Sequence, residues 1–376
     1  MREGWTYKKL GEVISPAKVI KNGNNNNLPI LSITMRDGIV TQNSRFKKVI
    51  ASVDTSTYKV VKNGQLVIAF PIDEGLIYTQ DIVEAGIMSP AYNVWDVDFS
   101  NLNRRFLITY LHSPYAMKYY KSKLRGTTMR RRSIPKEDLL NMPLPCPLLS
   151  EQQSIVAELD KINELISLKK AQLSDLDSLA QSIFYDIFGD PIENEKGWEV
   201  KKIGEIASFY NGKAHENVID EDGKYIVVNA KYIASNGNII KKTNEQLFPL
   251  YTNDIVMVMS DVPNGKALAR CSLITSDNSY SLNQRICAFR EYKQNPIYLL
   301  FVLNRNSYFL GFDDGNGQTN LRKNEVINCP VPLPPLSLQQ EFAKRIELIE
   351  QQKAQISSTI KDLETLLASR MQYWFD

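Results

Sequence analysis

Along two stretches of the chain, apolar positions recur at alternating steps of three and four, with polar residues between them. This spacing gathers the apolar side chains on one face of a helix and is typical of a coiled-coil seam. It predicts two long helices, over residues 150–189 and 336–376. The predicted seam comprises Ile155, Leu159, Ile162, Ile166, Leu173, Leu176, Ala180, Ile183 and Ile187 in the first helix, and Phe342, Ile346, Ile349, Ile356, Ile360, Leu363, Leu367 and Trp374 in the second.

Each predicted helix follows a proline-rich strip and opens with the pattern of a capping box. Ser150 precedes Gln153 by three residues, and Ser337 precedes Gln340 by three. A hydroxyl and an amide at this spacing can satisfy the free N–H groups of a first helical turn. We therefore predict that Ser150 and Ser337 are the N-caps of the two helices.

One lysine lies inside each seam, Lys169 in the first and Lys353 in the second. The simpler interpretation is a long side chain that carries its charge out to solvent. The alternative is a role in fixing the register of the helix pair.

The chain contains one unit of about 190 residues twice. GWTYKKLGEV at Gly4–Val13 returns as GWEVKKIGEI at Gly197–Ile206, and PCPLLSEQQ at Pro145–Gln153 returns as PLPPLSLQQ at Pro332–Gln340. The predicted organisation is a first globular block over 1–149 with its helix over 150–189, and a second block over 190–335 with its helix over 336–376.

Both blocks combine strand-like and helix-like patterns, which predicts an α+β fold class. Apolar β-rich runs come first and a helix-like stretch comes late, and these segments correspond between the copies while the polar loops differ. The matched segments are Asn63–Phe70 with Thr252–Ser260, Gly86–Val97 with Tyr280–Glu291, and Arg105–Tyr120 with Pro296–Leu310.

The lengths of the helices and blocks predict how the helices run. A helix of about 38 residues is about 57 Å long, whereas a block of about 139 residues has a diameter below about 40 Å. The second block begins where the first helix ends, and it cannot bridge that length, so the second helix must run back along the first. We expect an antiparallel coiled coil with one mixed globular domain at each end and pseudo-two-fold symmetry.

Composition narrows the class of protein. The chain has 376 residues, 43% of them hydrophobic, and no apolar run near the ~20 residues of a membrane span. MREGWTYKKL at the start lacks the apolar stretch of a signal peptide, so we expect a cytoplasmic protein without membrane contact. The cysteines are isolated and predict neither a disulfide framework nor a metal site; they are Cys146, Cys271, Cys287 and Cys329.

Charge is distributed unevenly along the repeat. The net charge is +3 overall, but +9 over residues 1–149 and −6 over 150–196, so the first block and its helix favour different partners. The densest cationic segment is Lys118–Arg132, with seven basic and no acidic side chains and with Tyr119 and Tyr120 among them. Such a run suits contacts with DNA phosphates and guanine edges, although a solvated surface is the plainer interpretation.

The candidate DNA-binding residues come from both blocks. In the first block they are Lys121, Lys123, Arg125, Arg130, Arg131 and Arg132, with a weaker cluster of Arg45, Lys47 and Lys48. In the second block they are more scattered and comprise Lys213, Lys231, Lys241, Lys242, Arg270, Arg285, Arg322 and Lys323.

Motifs for catalysis are missing from the sequence. It contains neither GxxxxGK[ST] nor a GxGxxG after a strand, and its two histidines, His112 and His215, stand in unrelated contexts. The chain is therefore predicted to catalyse nothing by itself.

The repeated GWxxKKxGEx and PxPLPPLxxQQ-like segments together resemble the specificity subunit of Type I restriction-modification systems. The resemblance covers essentially the whole chain and is carried best by PVPLPPLSLQQ at Pro330–Gln340, with Asn283–Arg285 and GNGQTNLRKNEV at Gly315–Val326 in support. The first block departs from this pattern, because it has GTTMRRRSIPKEDL at Gly126–Leu139 where the second block has the segment Gly315–Val326.

The resemblance implies two target recognition domains that each read one part of a split, asymmetric sequence in double-stranded DNA. It implies that the helices act as a spacer and dock two methyltransferase (modification) subunits, which restriction/motor subunits then join. This chain would bind no cofactor, and S-adenosylmethionine, ATP and Mg would be held by the partner subunits. The alternative is a non-catalytic coiled-coil scaffold or adaptor that binds proteins and not DNA.

Overall fold

The computed structural model describes residues 4–23, 27–35, 37–45, 54–125, 133–262 and 265–376. The chain forms two compact units: unit 1 comprises Met1–Lys170 with Ser358–Asp376, and unit 2 comprises Ala171–Ser357. Each unit has a mixed globular part, and both long helices supply residues to both units. The predicted α+β fold class is confirmed. Within the described ranges, no helix is both long and apolar enough to cross a membrane.

The described residues of unit 1 form ten strands and the start of the first long helix. Its strands are β1 (Thr6–Lys9), β2 (Ile14–Pro16), β3 (Leu31–Thr34), β4 (Gly38–Thr41), β5 (Lys59–Lys62), β6 (Leu66–Ile68), β7 (Ile77–Thr79), β8 (Ala85–Met88), β9 (Asn93–Val97) and β10 (Pro143–Cys146). Its helices are α1 (Gln42–Arg45), α2 (Arg104–Leu111), α3 (Pro114–Lys123), α4 (Lys136–Leu140) and α5 (Leu149–Phe188).

Unit 2 has a similar succession of elements, with eleven strands among its described residues. Its strands are β11 (Val200–Lys202), β12 (Ser208–Asn211), β13 (Tyr225–Val228), β14 (Lys242–Thr243), β15 (Ile255–Val258), β16 (Ser260–Asp261), β17 (Cys271–Leu273), β18 (Tyr280–Leu282), β19 (Ile286–Arg290), β20 (Thr319–Asn320) and β21 (Pro330–Pro332). Its helices are α6 (Ile203–Ile206), α7 (Ala230–Ala234), α8 (Pro296–Leu303), α9 (Ser307–Leu310), α10 (Lys323–Ile327) and α11 (Leu336–Phe375).

A four-stranded antiparallel sheet forms the core of each unit, in the order β2-β9-β6-β7 in unit 1 and β12-β19-β15-β17 in unit 2. Strands β6 and β15 are apolar throughout because both of their faces are covered, whereas β9 also contains the exposed Asn93 and Asp96. In unit 1 Leu66 pairs with Trp95, and in unit 2 the aligned Ile255 pairs with Phe289. The two copies therefore share the hydrogen-bond register of the sheet as well as its order.

The late helix-like stretch of each block is broken into two helices. In unit 1, α2 ends before His112, and Ser113 begins a new helix by accepting a hydrogen bond from the Ala116 N–H at 3.2 Å, with Pro114 in the first turn. Asn306 does the same before α9. The prediction of one continuous helix was wrong in both units, because a side-chain cap restarts the helix; only in unit 1 does a proline follow the cap.

A buried glutamine fixes the start of the first long helix. Gln152 is fully buried; its Oε1 accepts from the Asn103 N–H at 2.8 Å, and its Nε2 donates to the Pro147 carbonyl at 2.9 Å. Asn103 is in turn the N-cap of α2. This one side chain therefore joins the proline strip, the long helix and the core helix of unit 1.

Gln339 makes the same connection in unit 2. Its Oε1 accepts from the Asn295 N–H at 2.9 Å, its Nε2 donates to the Pro334 carbonyl at 2.9 Å, and Asn295 caps α8. The first hydrogen bonds of the two helices are accepted by the carbonyl oxygens of Leu148 and Pro335. Ser150 and Ser337 therefore lie inside the first turn. The prediction that these serines are N-caps was wrong; the buried glutamines supply the polar connection at these helix starts.

The long helices pair in antiparallel directions in unit 1. Arg370 of α11 forms a bidentate ion pair with Glu158 of α5, and further along α5 Lys170 meets Glu364 at 2.8 Å. The Trp374 indole N–H also donates to Glu158 at 3.1 Å. From the first pair to the second, the residue number rises along α5 and falls along α11. The predicted antiparallel arrangement is therefore confirmed in this unit.

Unit 2 contains the same antiparallel pairing. Lys353 of α11 bonds to Asp177 of α5 at 2.7 Å, and Phe184 packs edge-on against Phe342 with ring centroids 5.6 Å apart. Lys353 also binds Glu350 at 2.7 Å. Partial burial lowers its pKa, but the two carboxylate partners together raise that pKa above its ordinary value. Lys353 therefore makes a contact between the two helices, as its alternative interpretation requires, and does not simply extend into solvent.

The seam residues differ in burial. Ile155, Leu159, Ile162, Ile166, Ala180, Phe342, Ile346, Ile349, Ile356 and Ile360 are buried, while Leu173, Leu176, Ile183, Ile187, Leu363, Leu367 and Trp374 are half-buried. At the end of α5 the fully packed side chains are Phe184 and Phe188, one position after Ile183 and Ile187. They were missed because the globular part of unit 2 covers this turn and rotates the buried face toward itself.

We predict that Gln339→Leu lowers the free energy of unfolding by about 1–3 kcal/mol, because the Asn295 N–H and the Pro334 carbonyl lose their buried partner. Chemical denaturation followed by circular dichroism measures this. Gln340→Leu is the matched control, since Gln340 is the next residue and is exposed. Equal stability of the two variants would contradict the assigned role.

A second prediction concerns acid. The Arg370 guanidinium holds the pKa of Glu158 below its ordinary value of 4.5. A depressed carboxyl pKa contributes stability that is complete above the unfolded-state pKa and is lost as the pH falls through the folded-state pKa. The melting temperature of wild type should exceed that of Glu158→Gln at pH 7, and the difference should disappear as the pH falls through the lowered pKa of Glu158. Glu164→Gln, at an exposed site on α5, serves as the control, and a pH-independent difference for Glu158→Gln would refute the linkage.

Candidate nucleic-acid interface

An open groove in unit 2 brings together three of the cationic residues selected from the sequence. It has a volume of about 540 Å³, and Lys231, Lys241 and Arg285 line it with Asn229 and Asn283. All three cations are exposed. Residues separated by up to 54 positions in the chain thus form one polar surface.

Three separate elements position these side chains. Lys231 is in the first turn of α7, whose N-cap is Asn229; its Oδ1 accepts from the Tyr232 N–H at 2.9 Å. Lys241 immediately precedes β14. Arg285 follows Asn283 in the short connection between β18 and β19, and the Asn283 N–H donates to the Val228 carbonyl at 3.1 Å. The connection is therefore anchored to β13, the strand that leads into α7.

A buried histidine forms part of the groove wall. His215 is 1% exposed, its Nδ1 lies 2.7 Å from the Lys213 carbonyl and its Nε2 lies 2.7 Å from Ser281 Oγ. Nδ1 donates to the Lys213 carbonyl, because a carbonyl oxygen can only accept, and Ser281 Oγ also accepts from the Phe248 N–H at 3.1 Å. The ring therefore ties the segment of Lys213 to β18.

The Ser281–His215 pair is not an activated nucleophile of the acyl-transfer kind. Ser281 is fully buried and holds the Phe248 N–H, and the second nitrogen of His215 faces a carbonyl and not a carboxylate. In the part of the chain that the structure describes, no group of three or more His, Cys, Asp and Glu side chains could hold a metal ion.

The groove contains one carboxylate among its cations. Glu216 lines it and accepts from Gln284 Nε2 at 3.1 Å. Three cations therefore face one anion, and the remaining polar side chains are the two asparagine amides and the His215 imidazole. Cations attract phosphate oxygens, while arginine and asparagine side chains can hydrogen-bond to base edges. Such a surface is suited to nucleic acid.

Other predicted cations of the second block lie outside the groove lining. Arg270 is half-buried and donates to the Ala234 carbonyl at 2.9 Å, so it caps the last turn of α7 and has a structural partner. Lys213 and Lys242 are exposed, and each is close in sequence to a residue that lines the groove, His215 and Lys241 respectively. The structure therefore groups only part of the predicted set.

Two further cations are found at the start of α10. Arg322 is exposed at its N-cap, and the Lys323 ammonium lies 5.7 Å from the centre of the Phe209 ring. This second cationic surface of unit 2 is separate from the groove lining.

In unit 1 the fold supplies the basic run with a carboxylate that the run itself lacks. Asp138 of α4 lies 3.6 Å from Lys123 and 3.5 Å from Arg125. Lys121 is exposed on α3. This neighbouring carboxylate was not foreseen, because residues 133–140 come to lie beside the run only in the folded chain.

The tyrosines of this run belong to the core and not to an exposed stacking surface. Tyr120 is fully buried and donates to the Leu111 carbonyl at 3.1 Å, and burial raises its pKa far above its ordinary value. Tyr119 donates to the Asp138 carbonyl at 2.7 Å. The suggestion that both support nucleic-acid contacts was wrong for Tyr120.

Some predicted residues lie outside the described residues. These are Lys47, Lys48, Arg130, Arg131 and Arg132. Arg45 is described as the last residue of α1, without its side chain. The groove residues that the sequence analysis did not select are Asn229, Asn283 and His215. Of these, only Asn283 had a sequence signal, because it belongs to the segment Asn283–Arg285.

Comparison with known proteins identifies similarity over both repeats. The sequence model described as "Type I restriction modification DNA specificity domain" matches residues 2–177 and 195–365. The Type I restriction enzyme MjaVIII specificity subunit of Methanocaldococcus jannaschii is 24% identical over 409 aligned positions, covering 97% of this chain and 92% of the relative.

Solved structures are similar in fold. A chain from a structural study of the assembly and conformational transition of the type I R-M system has a TM-score of 0.62 and 18% identity, over 100% of this chain and 98% of that one. The HsdS subunit from Thermoanaerobacter tengcongensis has a TM-score of 0.42 and 18% identity, over 100% of this chain and 97% of that one.

Proposed function

This chain belongs to the family of Type I restriction-modification DNA specificity domains, and from that premise we propose that it reads a bipartite, asymmetric DNA target. Each repeat would recognise one part of the target. The observation that carries this proposal is the groove of unit 2, where Lys231, Lys241 and Arg285 face outward beside two asparagines. The cations would contact phosphates and fix the register, and Arg285 with Asn283 would reach base edges.

Differences between the repeats support two different half-sites. The sheets share one register, which aligns Asn283 with Ser89 and Arg285 with Ala91. The small side chains of unit 1 cannot make the base contacts available to arginine and asparagine. Two identical readers would favour a palindrome, whereas two unlike readers favour an asymmetric target.

The catalytic steps would belong to other subunits. In this proposal the chain catalyses nothing by itself and docks two methyltransferase subunits, through which restriction subunits join, in a complex that acts on DNA in the cytoplasm. Methylation of a base inside a duplex requires an enzyme that turns the nucleotide out of the stack. S-adenosylmethionine, ATP and Mg would be bound by those partners.

We predict that Lys241→Gln weakens DNA binding and lowers the magnitude of the slope of log K against log salt by about 1, because one phosphate contact is lost. Fluorescence anisotropy across a salt series measures this. Lys224→Gln is the control, since Lys224 is exposed, lies outside the groove lining and is not among the candidate DNA-binding residues. Binding of wild type that is indifferent to salt would instead favour a protein-binding scaffold.

A further prediction tests the split target. Arg285→Ala should relax the sequence requirement in only one of the two components of the target, because Arg285 belongs to unit 2 and the aligned residue of unit 1 is Ala91. Sequencing of methylated adenines in cells that contain the chain and its methyltransferase subunit gives the target. Lys224→Ala, at an exposed position outside the groove lining and outside the candidate set, is the control. Relaxation of both components, or a continuous target in wild type, would contradict the proposal.

A further inference from the structure

The groove of unit 2 contains a carboxylate at a place where the other charged side chains are cations. Glu216 lines the groove together with Lys231, Lys241 and Arg285, and its side chain is exposed. Its Oε1 accepts a hydrogen bond from Gln284 Nε2 at 3.1 Å, and this partner is a neutral amide. Because an ionised carboxylate has about four acceptor positions, most of them remain available to a ligand in the groove.

A buried ring holds the backbone on the side of the carboxylate. His215 directly precedes Glu216, donates to the Lys213 carbonyl through Nδ1 and contacts Ser281 Oγ through Nε2, both at 2.7 Å. The His215 carbonyl accepts from the Val218 N–H at 3.1 Å and closes the turn that contains Glu216. The carboxylate therefore extends from a backbone position that is fixed by the core of the unit.

The connection that contains Gln284 is anchored on both sides. The Asn283 N–H donates to the Val228 carbonyl at 3.1 Å, and the Arg285 carbonyl accepts from the Met259 N–H at 3.0 Å. Gln284 lies between these two anchors. The amide that holds the carboxylate and the guanidinium of Arg285 therefore belong to one short, fixed segment.

The chemistry of a carboxylate selects what it can contact in DNA. It repels the negative charge of the phosphates, so it is unfavourable in a groove that binds the backbone alone. At base edges in the major groove a carboxylate requires a donor. Cytosine N4 and adenine N6 are donors there, whereas guanine O6 and N7 and thymine O4 are acceptors. Carboxylates pair with cytosine N4 and arginine pairs with guanine, so Glu216 and Arg285 in one groove match the two bases of guanine–cytosine pairs.

We infer that Glu216 is a specificity-determining residue that accepts a hydrogen bond from the amino group of a cytosine in the component of the target read by unit 2, and that Gln284 positions its carboxylate. Thymine is rejected there because its O4 would face the carboxylate without a proton between them. The residue of unit 1 that aligns with Gln284 is Pro90, which has no side-chain amide to hold a carboxylate. The inference rests on the proposed function and adds the base that one residue reads.

The test compares Glu216→Ala with wild type, each as the full chain with its methyltransferase subunit. The target is first found by sequencing methylated adenines, and the unit 2 component is the one that Arg285→Ala relaxes. Fluorescence anisotropy then measures binding to duplexes in which each cytosine of that component is replaced by thymine, or by 2-pyrimidinone, which lacks the amino group. At one cytosine, either replacement should weaken binding of wild type by about 5- to 100-fold, and of Glu216→Ala by less than about twofold.

Non-specific binding provides a second readout. The affinity of Glu216→Ala for a duplex without the target should rise about twofold at low salt, because a charge that repels phosphates is removed. Gln284→Ala keeps that charge, so it should lower discrimination at the same cytosine without raising the non-specific affinity. Both side chains are exposed, and circular dichroism verifies that the variants keep the fold.

Glu221→Ala is the matched control, because Glu221 is exposed, lies in the same connection between β12 and β13 and is outside the groove lining. It removes the same charge and should leave discrimination at every cytosine unchanged. Full discrimination in Glu216→Ala, an equal change in Glu221→Ala, or a unit 2 component without a guanine–cytosine pair would overturn the inference while leaving DNA recognition intact. Failure of wild type to select a split target would instead reject the proposed function.

Discussion

The buried glutamine at the start of each long helix is the constraint on which the architecture depends. Gln152 and Gln339 each bind the N–H of a capping asparagine and the carbonyl of a strip proline. Three segments that are distant in sequence meet at one amide that has no access to water. Leaving either end of that amide unpaired is costly in a buried site, so the direction in which the helix leaves its unit is determined at its first turn.

The antiparallel helix pair follows from that starting direction and is then held by contacts of two kinds. Apolar side chains such as Ile155 and Ile346 are removed from water, while charged pairs such as Lys353 with Asp177 join the helices across their partly exposed sides. Burial supplies the larger share of the stability. The partly exposed pairs contribute less energy but make only one axial alignment electrostatically favourable.

Much of this architecture could be predicted from periodicity and internal repetition. The two long helices, their antiparallel pairing and the common order of strands all result from local pattern or from comparing the chain with itself. The errors and omissions occurred where distant segments decide: Asp138 reaches the basic run only after folding, and Phe184 replaces Ile183 because the globular part of unit 2 covers that turn. The groove of Lys231, Lys241 and Arg285 was beyond prediction for the same reason, since each cation comes from a different element.

The shared register of the two central sheets has a consequence for how such chains change over generations. The connection before β19 ends on a strand that pairs with β15 through Phe289 and Ile255, just as Trp95 pairs with Leu66 in the other copy. Arg285 is exposed in this connection and outside the paired strands, so a mutation there leaves the strand pairs unchanged. The side chains of this connection can thus change without destabilising the sheet. Selection can then alter the DNA sequence preferred by one repeat while the other repeat keeps its own.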